Sequence, residues 1–217
     1  MIQFKQVSKR FPDGYLALNN IDLNVAAGDI VFLTGHSGAG KSTLLKLIAA
    51  IERPTSGVIA INGHNIAQLK PAALPFLRRK IGFVFQDYKL LFDRNVYDNV
   101  LLPLQISGFD SKVVASRIRA ALDKVGLLKK EKAMPVTLSG GERQRLCIAR
   151  AVVHRPLILI ADEPTGNLDM AYAREIMAIF HAFHQVGVTV MIATHDAALL
   201  EDTQNRILSL QHGKLAA

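Results

Sequence analysis

Residues 29–34, Asp-Ile-Val-Phe-Leu-Thr, run directly into Gly35-His36-Ser37-Gly38-Ala39-Gly40-Lys41-Ser42, and residues 41–50 then read as a strongly apolar helix former. Strand, glycine-rich turn, helix is the order that most restricts what this chain can become. The small residues let consecutive backbone N–H groups turn inward around an anion, and the helix that opens there aims the positive end of its dipole at the same point. Lys41 is placed to neutralise terminal phosphates. The Ser42 hydroxyl is placed to ligate Mg²⁺, with Thr43 next to it at the start of the helix.

The rest of the chain fits an α/β frame. Strands are expected over residues 2–8, 18–25, 57–61 and 81–85, with Asn62-Gly63 as a tight turn after the third of them. Val114, Ile118, Ala121, Leu122 and Val125 recur at helical spacing, with Ser111 as a cap and Gly126 as a stop. From residue 142 onward helix (142–153), buried strand (157–161), helix (171–185), strand (188–193), a short helix and strand (206–210) alternate. Such alternation implies a parallel sheet. The chain reads as one body of 217 residues with a helical insertion at about 87–138.

Composition narrows the setting. Apolar runs such as residues 188–193 fall far short of the ~20 residues that span a bilayer. The opening Met-Ile-Gln-Phe-Lys carries no readable secretory or transit signal, so a cytoplasmic location is expected. The lone Cys147 has no partner for an intrachain disulfide and reads as a small buried residue. A net charge of +8 suits nucleotide, acidic lipid or nucleic acid without choosing among them, and most basic clusters read as solvated faces.

Two further segments carry chemistry. Leu157-Ile158-Leu159-Ile160-Ala161-Asp162-Glu163 is an apolar strand ending in two carboxylates, which sets both at the carboxyl edge of the sheet beside the glycine loop. There Asp162 suits the surroundings of a Mg²⁺ ion and Glu163 suits a general base for water. Leu138-Ser139-Gly140-Gly141-Glu142-Arg143-Gln144-Arg145 opens another helix, so Ser139 and the N–H groups of Gly140 and Gly141 form a second anion-binding end.

Together these motifs resemble the nucleotide-binding subunits of ABC transporters, over essentially the whole chain. Gln86 after the strand 81–85 resembles the family's Q-loop, Gly166-Asn167-Leu168-Asp169 its D-loop and His195 its switch histidine. The resemblance implies a P-loop NTPase fold: α/β, with a mostly parallel core sheet, an antiparallel β subdomain and a helical subdomain. It also implies ATP hydrolysis in a head-to-tail homodimer, where ATP on one glycine loop is covered by Ser139, Gly140 and Gly141 of the other copy. Glu163 would activate water, His195 would contact the γ-phosphate, and Gln86 would touch Mg²⁺ together with Ser42 and Asp162. Phe11 falls where the family commonly stacks a tyrosine on adenine, with Tyr15 as the fallback.

Residues 87–100, with Pro75-Phe76-Leu77-Arg78-Arg79 and residues 121–128, are most similar to the family's cell-division members. That likeness implies an integral membrane partner, attachment to the cytoplasmic face of the inner membrane through it, and an exposed apolar groove around residues 90–104. Lipoprotein-release and macrolide-export members share most of the motifs. The family's chromosome-maintenance and DNA-repair ATPases insert long coiled coils between the glycine loop and the signature. The short, heptad-free gap from Lys41 to Ser139 therefore argues against nucleic acid as partner.

Overall fold

The computed structural model describes residues 1–166, 168–196, 199–200 and 205–216. At its centre is β3 (Ile30–Thr34), whose side chains alternate between two cores. Ile30 and Phe32 face one, Val31 and Leu33 the other. A strand buried on both faces has to be apolar at every position, and this one is until Thr34, where it meets the glycine loop.

Five further strands complete the sheet: β6 (Ile81–Val84), β7 (Ile158–Asp162), β8 (Thr189–Ala193), β9 (Arg206–Gln211) and β10 (Lys214–Leu215). The order is β10-β9-β3-β8-β7-β6, with every pair parallel except β10 against β9. A second sheet, β2-β1-β4-β5, is antiparallel and consists of β1 (Ile2–Arg10), β2 (Leu16–Val25), β4 (Ser56–Ile61) and β5 (His64–Asn65). Asn62 and Gly63 both take positive φ, 49° and 79°, as a two-residue hairpin turn demands.

Between the sheets lies α1 (Lys41–Ile48). It buries Leu44, Leu45, Leu47 and Ile48 against Phe4 and Ile59 of one sheet and Val31 and Ile160 of the other. The opposite face of the central sheet is covered by α5 (Gly140–Val152) and α6 (Met170–Gln185). Beyond them stand α3 (Val96–Ser107) and α4 (Ser111–Lys124), between β6 and α5 in chain order; the five-residue α2 (Leu74–Arg78) precedes β6. Helix α5 lies so close to β6 that a Cβ on Gly82 would collide with the carbonyl of Ala151.

The structure departs from the sequence reading in several places. The cap of α4 is Asp110, which accepts the Lys112 N–H at 2.9 Å, and Ser111 is already helical. The carboxylate one position earlier wins because it reaches an unpaired first-turn donor. Gly126, at φ 69°, does follow the end of this helix. Where a groove was expected around residues 90–104, Phe92 is exposed and Leu91, Leu101 and Leu102 are partly buried. Leu90, Val96, Val100 and Leu104 are buried, since the four-residue spacing of the last three turns them all toward the core shared with α5. An apolar groove lies beside the end of α1 and along β6, lined by Ala49, Ile51, Arg78, Ile81, Phe83 and Phe85. The short helix expected after residue 195 lies largely outside the described residues.

Candidate nucleotide site

The glycine loop links β3 to α1 and is held by its neighbours as much as by its own turns. Gly40, immediately before α1, has φ 107°, and a Cβ there would lie 2.5 Å from the carbonyl of Ala17. Gly35 packs on Leu210 of β9 so tightly that a side chain would strike its carbonyl. The loop borders a cavity of about 390 Å³ into which His36, Ser37, Gly38, Ala39, Gly40, Lys41, Ser42 and Thr43 all project. Gln86, Glu163, His195 and Tyr15 close its sides. The loop, Gln86, Glu163 and His195 thus meet at the carboxyl ends of β3, β6, β7 and β8, and Tyr15 joins them from the β1–β2 hairpin.

Lys41 is buried, and its Nζ donates to the carbonyls of Gly35 at 2.6 Å and His36 at 3.3 Å. It also lies 3.4 Å from Glu163 Oε1. The other carboxylate oxygen of Glu163 is 2.8 Å from His195 Nδ1 and accepts the His195 backbone N–H at 3.3 Å. Glu163 is therefore gripped from both sides, with its side chain only 9% exposed. Its backbone φ of 49° is costly for a residue with a Cβ, and the Glu163 N–H is pinned to the Ala193 carbonyl at 2.9 Å.

Asp162 ends β7 behind the loop. Burial pushes its carboxyl above the ordinary aspartate range, and the hydrogen bond from Ser42 and the nearby Lys46 and Lys41 charges offset only part of that. Its Oδ1 is buried and has no hydrogen-bond partner. A desolvated, half-satisfied carboxylate sharing a hydrogen bond with a hydroxyl is a donor set that suits a hard divalent cation, so Ser42 and Asp162 fit Mg²⁺.

Two aromatic residues were expected to compete for the base. Tyr15 lines the cavity, half exposed, and its hydroxyl donates to the Gly38 carbonyl at 2.8 Å. Phe11 lies in the same β1–β2 hairpin but outside the cavity lining, beneath the Lys9 ammonium at 4.9 Å. Ser139, Gly140, Gly141 and Asp169 are not at the cavity either; they gather in a second cluster. Ser139 and Glu142 form a capping box at the start of α5, Asp169 caps α6 through the Tyr172 N–H, and Gly141 packs on the Tyr172 ring. Leu168 is the neighbour of Gly140, and Asn167 lies outside the described residues. One copy thus carries a phosphate cradle and, apart from it, an anion-binding helix end.

Residues 18–166 match the ABC transporter family. This chain belongs to that family. Among curated ABC proteins, it is 54% identical over 215 residues to the cell division ATP-binding protein FtsE of Escherichia coli, covering 99% of this chain and 97% of that one. It is 43% identical over 213 residues to FtsE of Bacillus subtilis, covering 98% and 93%. Among solved ABC structures, the ATP-binding cassette MJ0796, a dimer in a post-hydrolysis state bound to ADP and Pi, superposes with a TM-score of 0.92 at 34% identity, covering 100% of this chain and 97% of that one. As an ABC ATPase this chain has the family's mixed architecture of parallel and antiparallel sheets with covering helices. Arg150, which holds the segment after Gln86, is a site neighbour that sequence reasoning missed, and nothing in its local pattern marks it.

Proposed function

We propose that this chain is the ATP-binding and hydrolysing subunit of an FtsE–FtsX-type complex in cell division, passing ATP-driven movement to an FtsX-like integral membrane protein that controls cell-wall hydrolysis. The observation that carries the chemistry is Glu163, held between Lys41 and His195 at the mouth of the phosphate cradle. ATP takes its place with its phosphates on the N–H groups of the glycine loop, and Lys41 turns from the Gly35 carbonyl and Glu163 to the terminal phosphates. That releases one oxygen of Glu163 to accept a proton from water as it attacks the γ-phosphate in line. His195 orients Glu163 and lies where it can reach the γ-phosphate. Ser42, Asp162 and Gln86 would hold Mg²⁺, which when bound neutralises charge on the phosphate oxygens.

The separate placement of Ser139–Gly141 supports a head-to-tail homodimer, as does likeness to a dimeric cassette. Each copy's α5 end would cover the nucleotide of the other, with Asp169 near the join. Membrane attachment would run through the partner, since no helix among the described residues is long and apolar enough to cross a membrane. The groove of Ile51, Phe83 and Phe85, with those two rings stacked at 4.3 Å, sits at the strand leading to Gln86 and suits a short apolar helix from that partner. Action is then at the cytoplasmic face of the inner membrane, with no role for nucleic acid.

Tagged Glu163→Gln protein, captured with ATP in mild detergent and read by mass spectrometry, tests this. Recovery of an FtsX-like protein is expected, with turnover lowered at least ~100-fold while ATP still binds. Recovery of a lipoprotein-release or drug-export permease would overturn the division role, and wild-type turnover would overturn the role of Glu163.

A further inference from the structure

Gln86 is followed by a turn that the chain does not adopt cheaply. Tyr88 and Lys89 both sit in the left-handed region, at φ 60° and 49°, although neither is glycine. Such a pair persists only where its surroundings hold it. The local backbone supplies two hydrogen bonds, from the Tyr88 N–H to the Phe85 carbonyl at 3.2 Å and from the Lys89 N–H to the Asp87 carbonyl at 2.6 Å, and the Lys89 ammonium pairs with Asp87 in the open; none of them engages the Tyr88 or Lys89 carbonyl.

The hold on those two carbonyls comes from α5, about 60 residues later in the chain. The Arg150 guanidinium donates through Nη2 to the Tyr88 carbonyl at 2.6 Å and through Nη1 to the Lys89 carbonyl at 2.5 Å. The Cys147 thiol donates to the same Tyr88 carbonyl at 3.2 Å. Burial pushes that thiol up to about 12, so it stays a neutral donor. No ion pair of Arg150 with a carboxylate is found among the described residues, so its charge is spent on this turn. A planar fork fits two consecutive carbonyls as a lysine ammonium cannot.

The other end of the Tyr88 side chain completes the connection. Its Oη lies 3.9 Å from where a Cβ on Gly140 would stand, at the opposite end of α5. Positions 140, 147 and 150 share one stripe of that helix, and Tyr88 lies along it. A single residue two places from Gln86 is thus tied at its backbone to the last turns of α5 and abuts, with its ring, the glycine that opens the helix.

We propose that Arg150 and Tyr88 form a strut that fixes Gln86 relative to the Ser139–Gly141 loop, so that a shift of Gln86 at the nucleotide moves the surface offered to the second copy. Arg150 and Tyr88 are positioning residues. The proposal rests on the reading that Gln86 acts at the nucleotide site and Ser139–Gly141 at the second copy's nucleotide. A displacement of the turn has no slack to absorb it, because both carbonyls are already committed to one guanidinium. Movement passes to α5 as a rigid rod ~20 Å long.

The test is a double-mutant cycle on the full chain, read as turnover, ATP affinity with a fluorescent analogue, and melting temperature. Arg150→Gln is expected to lower kcat about tenfold while nucleotide affinity stays within about twofold, and Arg150→Lys to recover part of the loss. Gln86→Ala combined with Arg150→Gln is expected to be no slower than Gln86→Ala alone. Additive losses would overturn the strut, as would full activity of Arg150→Gln beside a slow Gln86→Ala. Full activity of Gln86→Ala would instead overturn the underlying reading of Gln86. Should Arg150→Gln not fold, Arg150→Lys takes its place in the cycle. Tyr88→Ala, which leaves the guanidinium contacts to backbone in place, is expected to weaken ATP-driven pairing of two copies, and unchanged pairing would overturn the role of the ring.

Discussion

Tyr15 and Phe11 are four positions apart in one hairpin, yet only one borders the nucleotide cavity. The hairpin is shaped by the Tyr15 N–H on Asp13 Oδ1 at 3.0 Å and by the Arg10 guanidinium on the Gly14 carbonyl at 2.7 Å. These turn Tyr15 toward Gly38 and leave Phe11 under Lys9. Base stacking on an aromatic ring contributes about 1–3 kcal/mol, so Tyr15→Ala should weaken ATP binding roughly tenfold or more. Phe11→Ala should change it less than about twofold, because the ring it removes is outside the cavity. Fluorescent-nucleotide titration of both variants decides, and the reverse ranking would return the base to Phe11. The sequence put Phe11 first, by its resemblance to the family's stacking position, and kept Tyr15 as the fallback. What the sequence does not show is the turn, whose hydrogen bonds through Asp13 and Gly14 set Tyr15 at the cavity.

The start of α5 is where element-scale forces are clearest. Ser139 accepts the Glu142 N–H at 3.2 Å and Glu142 accepts the Ser139 N–H at 3.0 Å, while Lys130 reaches Glu142 at 2.6 Å. The Lys130 hydrogen bond, then that of the Ser139 N–H, hold the Glu142 carboxyl below its ordinary value of 4.5. A carboxylate with a depressed folded value stabilises the fold above the unfolded value and loses that contribution as pH falls through the folded one. Glu142→Gln keeps the capping geometry but not the charge. Wild type should therefore melt higher than Glu142→Gln at neutral pH, with the gap closing below about pH 4.5, measured by circular dichroism. A gap constant with pH would remove the charge from the account. The motif itself was legible, because a capping box and a glycine pair are written in consecutive residues. So were the glycine loop and the two acids, each needing only a short stretch of backbone. Which apolar residues of α3 are open and which are covered was not legible in the same way, because that depends on α5, against which Val96, Val100 and Leu104 are buried.

At the scale of the molecule, the cradle and the α5 end stand apart in one copy, and on the proposed head-to-tail reading a second copy completes each site. Glu163→Gln with ATP should run as a dimer by size exclusion with light scattering, and with ADP as a monomer. A monomer under both conditions would argue against closure by a second copy. The sheet also bears on how the site is assembled in time. The strand that presents the glycine loop, β3, pairs with β8 on one edge and β9 on the other. The first contacts at its base and tip, Gly28 with Thr189 and Thr34 with Leu208, join residues 161 and 174 positions apart. Synthesis delivers the amino-terminal part of a chain first. The loop that grips phosphate is therefore among the earliest parts made and among the last to acquire its support. A nascent chain halted before β9 would carry every residue of the cradle on a strand with one edge still bare and no wall of Leu210 behind Gly35. The backing of the phosphate loop is thus supplied only once β9 has been made.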